Sequence, residues 1–193
     1  MNGIAEHNWF KINERISFFR KFIESPSQIG SITPSSRFLS RKMLERVDWG
    51  KIRTLAELGA GTGVFTRDIY RLKHPDCKVA VFEKDCLMRS EIAARYSKLY
   101  YFDDVLYLNQ KMQSIGIDAL DVVVSGIPFA LLDDDRRESI IDQVVRLLKP
   151  NGSFVAFQYS LQMKSLLLKK FSQVEISFVP FNIPPAFVYL CHK

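Results

Sequence analysis

The sequence is poor in the residues that build covalent or metal frameworks. Its three cysteines, Cys77, Cys86 and Cys191, are odd in number and show no CxxC spacing. That argues against a disulfide scaffold and a zinc site, and points to a reducing, cytoplasmic setting. The histidines, His7, His74 and His192, fall in no motif, so neither a metal nor a histidine base is expected. No uncharged run is long and apolar enough to cross a bilayer, and the run 122–132 is broken by Gly126 and Pro128. Glu6 and His7 stand where a signal peptide needs apolar residues, so secretion is not expected. There is no internal repeat and no low-complexity tract.

What is present suits one soluble domain: 193 residues, 47% hydrophobic and 25% charged. The net charge of +6 is uneven, with +4 in residues 1–51, −1 in 52–150 and +3 in 151–193. Basic ends suit a polyanionic partner, nucleic acid or an anionic membrane, or serve solubility alone.

From Lys51 onward, short apolar runs alternate with helical stretches, the pattern of a parallel α/β sheet. Strands are expected at 53–58, 78–82, 99–102, 119–125, 153–159, 174–180 and 186–191, with helices near 64–72, 86–96, 134–148 and 161–171. A shorter helix is expected near 107–114. Asp133, Asp134 and Asp135 read as a helix cap rather than a metal site, and Lys149-Pro150-Asn151-Gly152 as a turn. The last two strands are separated by only Phe181-Asn182-Ile183-Pro184-Pro185, too little for a parallel crossover, so they should pair antiparallel.

Before the sheet, Trp9, Ile12, Ile16, Phe19 and Ile23 share one helical face, with Lys11, Arg15, Arg20 and Lys21 around it. Such a helix either packs on the sheet domain or lies on a membrane surface. After the breaking segment 25–34, Ser35 or Ser36 is expected to cap a second helix ending near Arg46.

Chemistry concentrates in four segments. Glu57-Leu58-Gly59-Ala60-Gly61-Thr62-Gly63 lies between an expected strand and helix, where glycines permit a sharp turn and close approach to a ligand. Val64 breaks the dinucleotide GxGxxG pattern, and no Lys-Ser/Thr follows for a P-loop. Glu83 ends the next strand, placed to accept hydrogen bonds from ribose hydroxyls. Asp104, with Asp103 as its close rival, follows the third strand. Ser125-Gly126-Ile127-Pro128-Phe129 ends the fourth, in the crevice where ligands bind parallel sheets.

In this order the four segments resemble the class I S-adenosylmethionine-dependent methyltransferases over roughly residues 50–193. The resemblance implies a Rossmann-like α/β fold, a seven-stranded mostly parallel sheet with an antiparallel last strand, plus N-terminal helices. It places Glu57, Gly59, Gly61 and Gly63 on the methionine part of S-adenosyl-L-methionine, Glu83 on the ribose and Asp104 on adenine.

Phe18-Phe19-Arg20-Lys21-Phe22-Ile23, Gly30-Ser31-Ile32-Thr33-Pro34-Ser35-Ser36-Arg37, Ser125-Gly126-Ile127-Pro128 and Asn182-Ile183-Pro184-Pro185-Ala186-Phe187-Val188-Tyr189 resemble the bacterial phospholipid N-methyltransferases. Those enzymes methylate the amine of phosphatidylethanolamine at the membrane surface. The likeness implies a helical, membrane-facing cover at 1–50, a methyltransferase domain at 51–193, and peripheral association with the inner face of an anionic membrane. It sets Ile127, Pro128, Phe129 and Asn182 on the substrate side. Ser125 and Gly126 orient the amine, and Tyr159 is a candidate proton acceptor.

The alternative is a ribosomal RNA adenine N6-dimethylase. In those enzymes an Asn in the fourth-strand motif accepts a hydrogen bond from the target amino group, whereas Gly126 has no side chain for that role. They also carry a helical domain after the sheet, whereas this sequence stops at Lys193, and both departures favour an amine substrate. Another small amine is a further alternative. A non-catalytic module would be expected to lose the cofactor residues, but Glu57, the glycines and Glu83 are all present.

Overall fold

In the computed structural model, which describes residues 34–193, helix α1 (Pro34–Leu44) leads into β1 (Thr54–Leu58), α2 (Val64–Leu72), β2 (Lys78–Phe82), α3 (Cys86–Arg95) and β3 (Tyr100–Phe102). A 3-10 turn at Val105–Tyr107 precedes α4 (Leu108–Ser114), β4 (Leu120–Ser125) and a second 3-10 turn at Phe129–Leu131. The chain finishes with α5 (Asp134–Leu147), β5 (Leu148–Gln158), α6 (Lys164–Lys170), β6 (Gln173–Val179) and β7 (Ala186–His192).

The strands form one sheet in the order β3-β2-β1-β4-β5-β7-β6. The first five pair in parallel, and β7 lies antiparallel between β5 and β6. The expected mostly parallel sheet with an antiparallel last strand is therefore what forms.

Alternation along the strands divides the core between two faces. Ala56, Leu58, Val123 and Phe154 pack beneath α4, α5 and α6, against Leu108, Met112, Ile141, Val144 and Leu167. Leu55, Val122, Val124 and Val155 pack on the other face against Leu39 and Met43 of α1, Phe65 and Ile69 of α2, and Ile92 of α3. Ser40 Oγ donates to Asp68 Oδ2 at 2.6 Å, tying α1 to α2. Pro34–Lys193 is one compact unit, so α1, read from the sequence as part of the cover, packs with the sheet. The apolar face from Trp9 to Ile23 lies outside the described residues.

Local punctuation behaves as its chemistry dictates. Asp133 caps α5 by accepting the Arg136 N–H at 2.8 Å, with Asp134 and Asp135 in the first turn. Pro34 opens α1, where a missing N–H costs nothing. One expectation is corrected. Lys149-Pro150-Asn151-Gly152 does not end before a strand but lies within β5 as a bulge, Leu120 pairing Leu148 while Val122 pairs Ser153. Asn151 takes φ 65° there, and the strand continues because Lys149 Nζ is held 2.7 Å from Asp121 Oδ1. Helix α6 also starts at Lys164, three residues later than its pattern suggested, since residues 159–163 form a turn whose Ser160 carbonyl accepts the Tyr189 hydroxyl.

Candidate active site

The strand order reverses between β1 and β4, and the loops leaving β1, β2 and β4 meet at that point. The glycine loop is stitched to its neighbour: Gly59 and Ala60 donate to the Phe82 carbonyl at 2.8 and 3.1 Å. Glu83 Oε2 accepts the Gly61 N–H at 2.7 Å, and its Oε1 accepts the Asp85 N–H at 2.9 Å. Gly61 adopts φ +56° with open space where a Cβ would point, so the loop presents bare backbone to the crevice. The Phe102 carbonyl accepts the Glu83 N–H at 3.0 Å, bringing the end of β3 alongside. There the half-buried Asp104 accepts the Leu106 N–H at 2.9 Å, while the exposed Asp103 lies 3.6 Å from Lys111 Nζ.

Gly126 and Gly59 are pressed together. A Cβ on Gly126 would fall 2.7 Å from the Gly59 carbonyl oxygen, closer than non-bonded atoms tolerate. The Gly126 N–H donates to the Leu58 carbonyl at 2.8 Å, fixing that approach. No side chain of any kind fits at position 126 without moving the glycine loop.

Glu57 is the outlier of the site. It is fully buried, and among the described residues neither carboxyl oxygen has a hydrogen-bond partner of good geometry; nor does the hydroxyl of nearby Thr66. Burial pushes its pKa up to about 8; Thr66 opposes the shift and the Glu83 charge adds to it. A buried polar group left without a partner is costly, and a ligand that supplies donors would relieve that cost. An orphaned carboxyl beside open glycine backbone, with Glu83 and Asp104 on the next two strand ends, fits S-adenosylmethionine.

The expected substrate-side residues separate. Ser125 is buried, its Oγ accepting the Ile127 N–H at 3.3 Å. Buried Gln158 donates to the Ile127 carbonyl at 2.9 Å, locking this turn to β5. Pro128 stays half-buried. Ile127 and Phe129, read as substrate-facing, are buried in the core beneath α5, where Phe129 is wholly enclosed. An apolar residue directly after a strand end has core within reach, and packing wins.

Tyr159 sits at the end of β5 beside the buried Asn182, whose Nδ2 donates to the Pro184 carbonyl at 2.6 Å. Burial raises the Tyr159 pKa, and Asn182 offsets that only in part, so the side chain is a phenol at neutral pH. Two aromatic residues escaped the sequence reading. Phe65 lies 3.6 Å from where a Gly126 Cβ would be, the Phe157 ring is tilted at 55° with its centroid 5.8 Å from that of Phe65, and Tyr159 meets Phe157 edge-on at 5.6 Å. Together they make an aromatic wall from Gly126 to Tyr159. The signal lies in the expected strand 153–159, where Phe157 and Tyr159 are two apart and so belong to one face.

A family model described as a methyltransferase domain matches residues 55–152. The ornithine lipid N-methyltransferase of Singulisphaera acidiphila is 34% identical over 179 residues, covering 90% of this chain and 93% of that protein. The chain belongs to the S-adenosylmethionine-dependent methyltransferases. Among solved structures, the N-methyltransferase NodS from Bradyrhizobium japonicum bound to S-adenosylhomocysteine aligns with TM-score 0.67 at 17% identity, covering 87% of this chain and 91% of that one. A Burkholderia thailandensis 1,6-didemethyltoxoflavin-N1-methyltransferase aligns with TM-score 0.68 at 15% identity, covering 97% and 89%. At these identities the solved structures speak for the fold. The methyltransferase uses S-adenosylmethionine, which when bound supplies an electrophilic methyl group on a positively charged sulfur.

Proposed function

We propose that this S-adenosylmethionine-dependent N-methyltransferase methylates the headgroup amine of a membrane aminolipid, phosphatidylethanolamine being the acceptor inferred from sequence. The observation that carries the reading is Gly126. An exocyclic adenine nitrogen is a weak nucleophile whose lone pair is spread into the ring, and it needs a polar side chain to receive its hydrogens. The 2.7 Å approach to the Gly59 carbonyl bars any such side chain here. An alkyl amine, once neutral, is already nucleophilic and mainly needs positioning. The likeness to an ornithine lipid N-methyltransferase over 90% of the chain supports a lipid acceptor, with an ornithine lipid amine as the close variant of the substrate.

The reading assigns a role to each residue of the site. Glu57 and the glycine loop hold the methionine part of the cofactor, Glu83 the ribose and Asp104 the adenine. Backbone carbonyls at Ser125 and Gly126 accept from the incoming amine, and the wall of Phe65, Phe157 and Tyr159 excludes water, which favours the neutral amine. Tyr159, protonated at neutral pH, orients through its hydroxyl together with Asn182.

The test offers labelled S-adenosylmethionine to lipid extract and to total RNA in parallel, using the full chain. Label in the lipid amine fraction is expected; label only in RNA overturns the acceptor. In the same reading, deletion of residues 1–24 abolishes sedimentation with anionic liposomes while S-adenosylhomocysteine still binds. A truncated chain that still sediments removes the membrane role of the basic aromatic segment.

A further inference from the structure

From Ile176 to Cys191 the sequence holds no Asp, Glu, Lys, Arg or His. The middle of that run turns at the sheet edge that carries the active site. Gln158 pairs with Phe187 and Val179 pairs with Ala186, so residues 180–185 emerge at the same end as the carboxyl end of β5. Within the turn the side chains alternate sharply. Asn182 is buried beside Tyr159, while Phe181 and Ile183 on either side are each 74% exposed. Phe38 near the start of α1 is 53% exposed and places its ring 6.1 Å from that of Phe181. Large apolar side chains gathered at one exposed tip mark a contact surface rather than ordinary scatter.

Charge says what that surface meets. Arg37 and Arg41 lie on α1 with no carboxylate between Pro34 and Leu44, whereas Lys42 is paired with Glu45 at 2.7 Å and adds no net charge. The acid on β6, Glu175, is paired with Arg46 towards the opposite end of the strand. Apolar side chains at a tip with cations beside them match the two layers of a bilayer surface, acyl chains below and anionic headgroups above.

We propose that the β6–β7 turn, through Phe181 and Ile183, together with Phe38, Arg37 and Arg41 of α1, docks the enzyme on an anionic bilayer with its active-site edge against the headgroups. The proposal rests on the lipid reading for its purpose, and its test reads binding separately from chemistry. Asn182 then couples the two, since the residue between the anchors touches Tyr159 in the site.

The full chain is sedimented with phosphatidylglycerol–phosphatidylethanolamine vesicles and with phosphatidylcholine vesicles. The double variant F181D/I183D is expected to bind the anionic vesicles at least about tenfold more weakly, with unchanged melting temperature and S-adenosylhomocysteine binding. F181W/I183L keeps wild-type binding. R37E/R41E loses roughly fivefold per charge, and added salt weakens the wild type likewise. Wild-type binding by F181D/I183D overturns the proposal, as does a wild type that sediments with neither vesicle. Loss of cofactor binding or melting temperature in both F181D/I183D and F181S/I183S also overturns it, because the side chains then serve packing. So does a double variant that changes from dimer to monomer but still binds vesicles, since a second copy then covers the tip. A wild type that sediments through Phe181 and Ile183 yet labels no lipid amine supports docking and defeats the lipid reading alone.

Discussion

Two carboxyls on adjacent strands have opposite surroundings. Asp121, near the start of β4, accepts from the Arg53 and Thr54 N–H groups at 2.8 and 2.9 Å and from Thr54 Oγ1 at 3.0 Å, with Lys149 Nζ 2.7 Å from its other oxygen. Burial opposes its ionisation, but Lys149 and these donors outweigh burial and hold the carboxyl below its usual range. Glu57, near the end of β1 and in register with Val124, is buried more deeply, with no cation beside it and only Thr66 to oppose its desolvation, so it is held above its usual range. Where a carboxyl only ties strands together, the chain supplies all the partners it needs. Where it faces a ligand site, the chain leaves it wanting.

Breaking the ligand end should have the largest effect. Gly61→Arg keeps the circular dichroism of the fold but abolishes the calorimetric titration with S-adenosylhomocysteine, since φ +56° and the Glu83 contact leave a long cation only the crevice to enter. An undiminished titration removes the cofactor assignment. Gly126→Asn comes next. It lowers stability by about 2–3 kcal/mol through overpacking against the Gly59 carbonyl, and does not create adenine methylation. A stable variant that methylates RNA would show that steric closure does not select the acceptor. At the structural end, Asp121→Asn costs about 1–2 kcal/mol in denaturant melts near pH 7 by weakening the hub. Its sign with pH is fixed by the lowered native pKa: the Asp121 contribution is complete above the unfolded pKa and disappears as pH falls through the folded one. The gap between the two proteins therefore closes in acid, and a gap independent of pH would deny the hub its charge.

The two ends of the sheet also differ in how far they could be read beforehand. The glycine loop, Glu83 and Asp104 were legible because each is a polar or small residue at a strand end, where period-2 burial stops. The helices with strong local signals, α2 and α5, began where their residues predicted, at Val64 and Asp134. The bulge at Pro150-Asn151-Gly152 was not legible, since it depends on the Lys149–Asp121 contact across 28 positions. Phe129 misled because an aromatic after a strand end looks the same whether it turns to substrate or to core; α5 beneath it decides. The closeness of Gly126 and Gly59 lies between two loops 67 positions apart, so sequence showed the absent side chain but not the wall that forbids it. Local chemistry is written in short segments, and cross-chain contact is not.

The finest test of the contrast is Glu57→Gln, whose effect is smallest in mild acid. A carboxyl whose native pKa is about 8 against an unfolded value of 4.5 favours folding fully below 4.5, where both states hold the proton. That advantage is lost as pH rises, because the unfolded chain releases the proton while the native site keeps it, until the native group ionises near pH 8. Glutamine holds no titrating proton, so the variant should match the cofactor-free wild type most closely near the acid end and gain on it steadily towards pH 8. Asp121→Asn moves the other way, falling behind the wild type as pH rises through the acid range. Opposite slopes from two carboxyls on neighbouring strands would establish that one end of the sheet is built to be satisfied and the other to wait for its ligand. Parallel slopes would mean that Glu57 has found partners within the free protein, and its assignment to the cofactor would lose its physical reason.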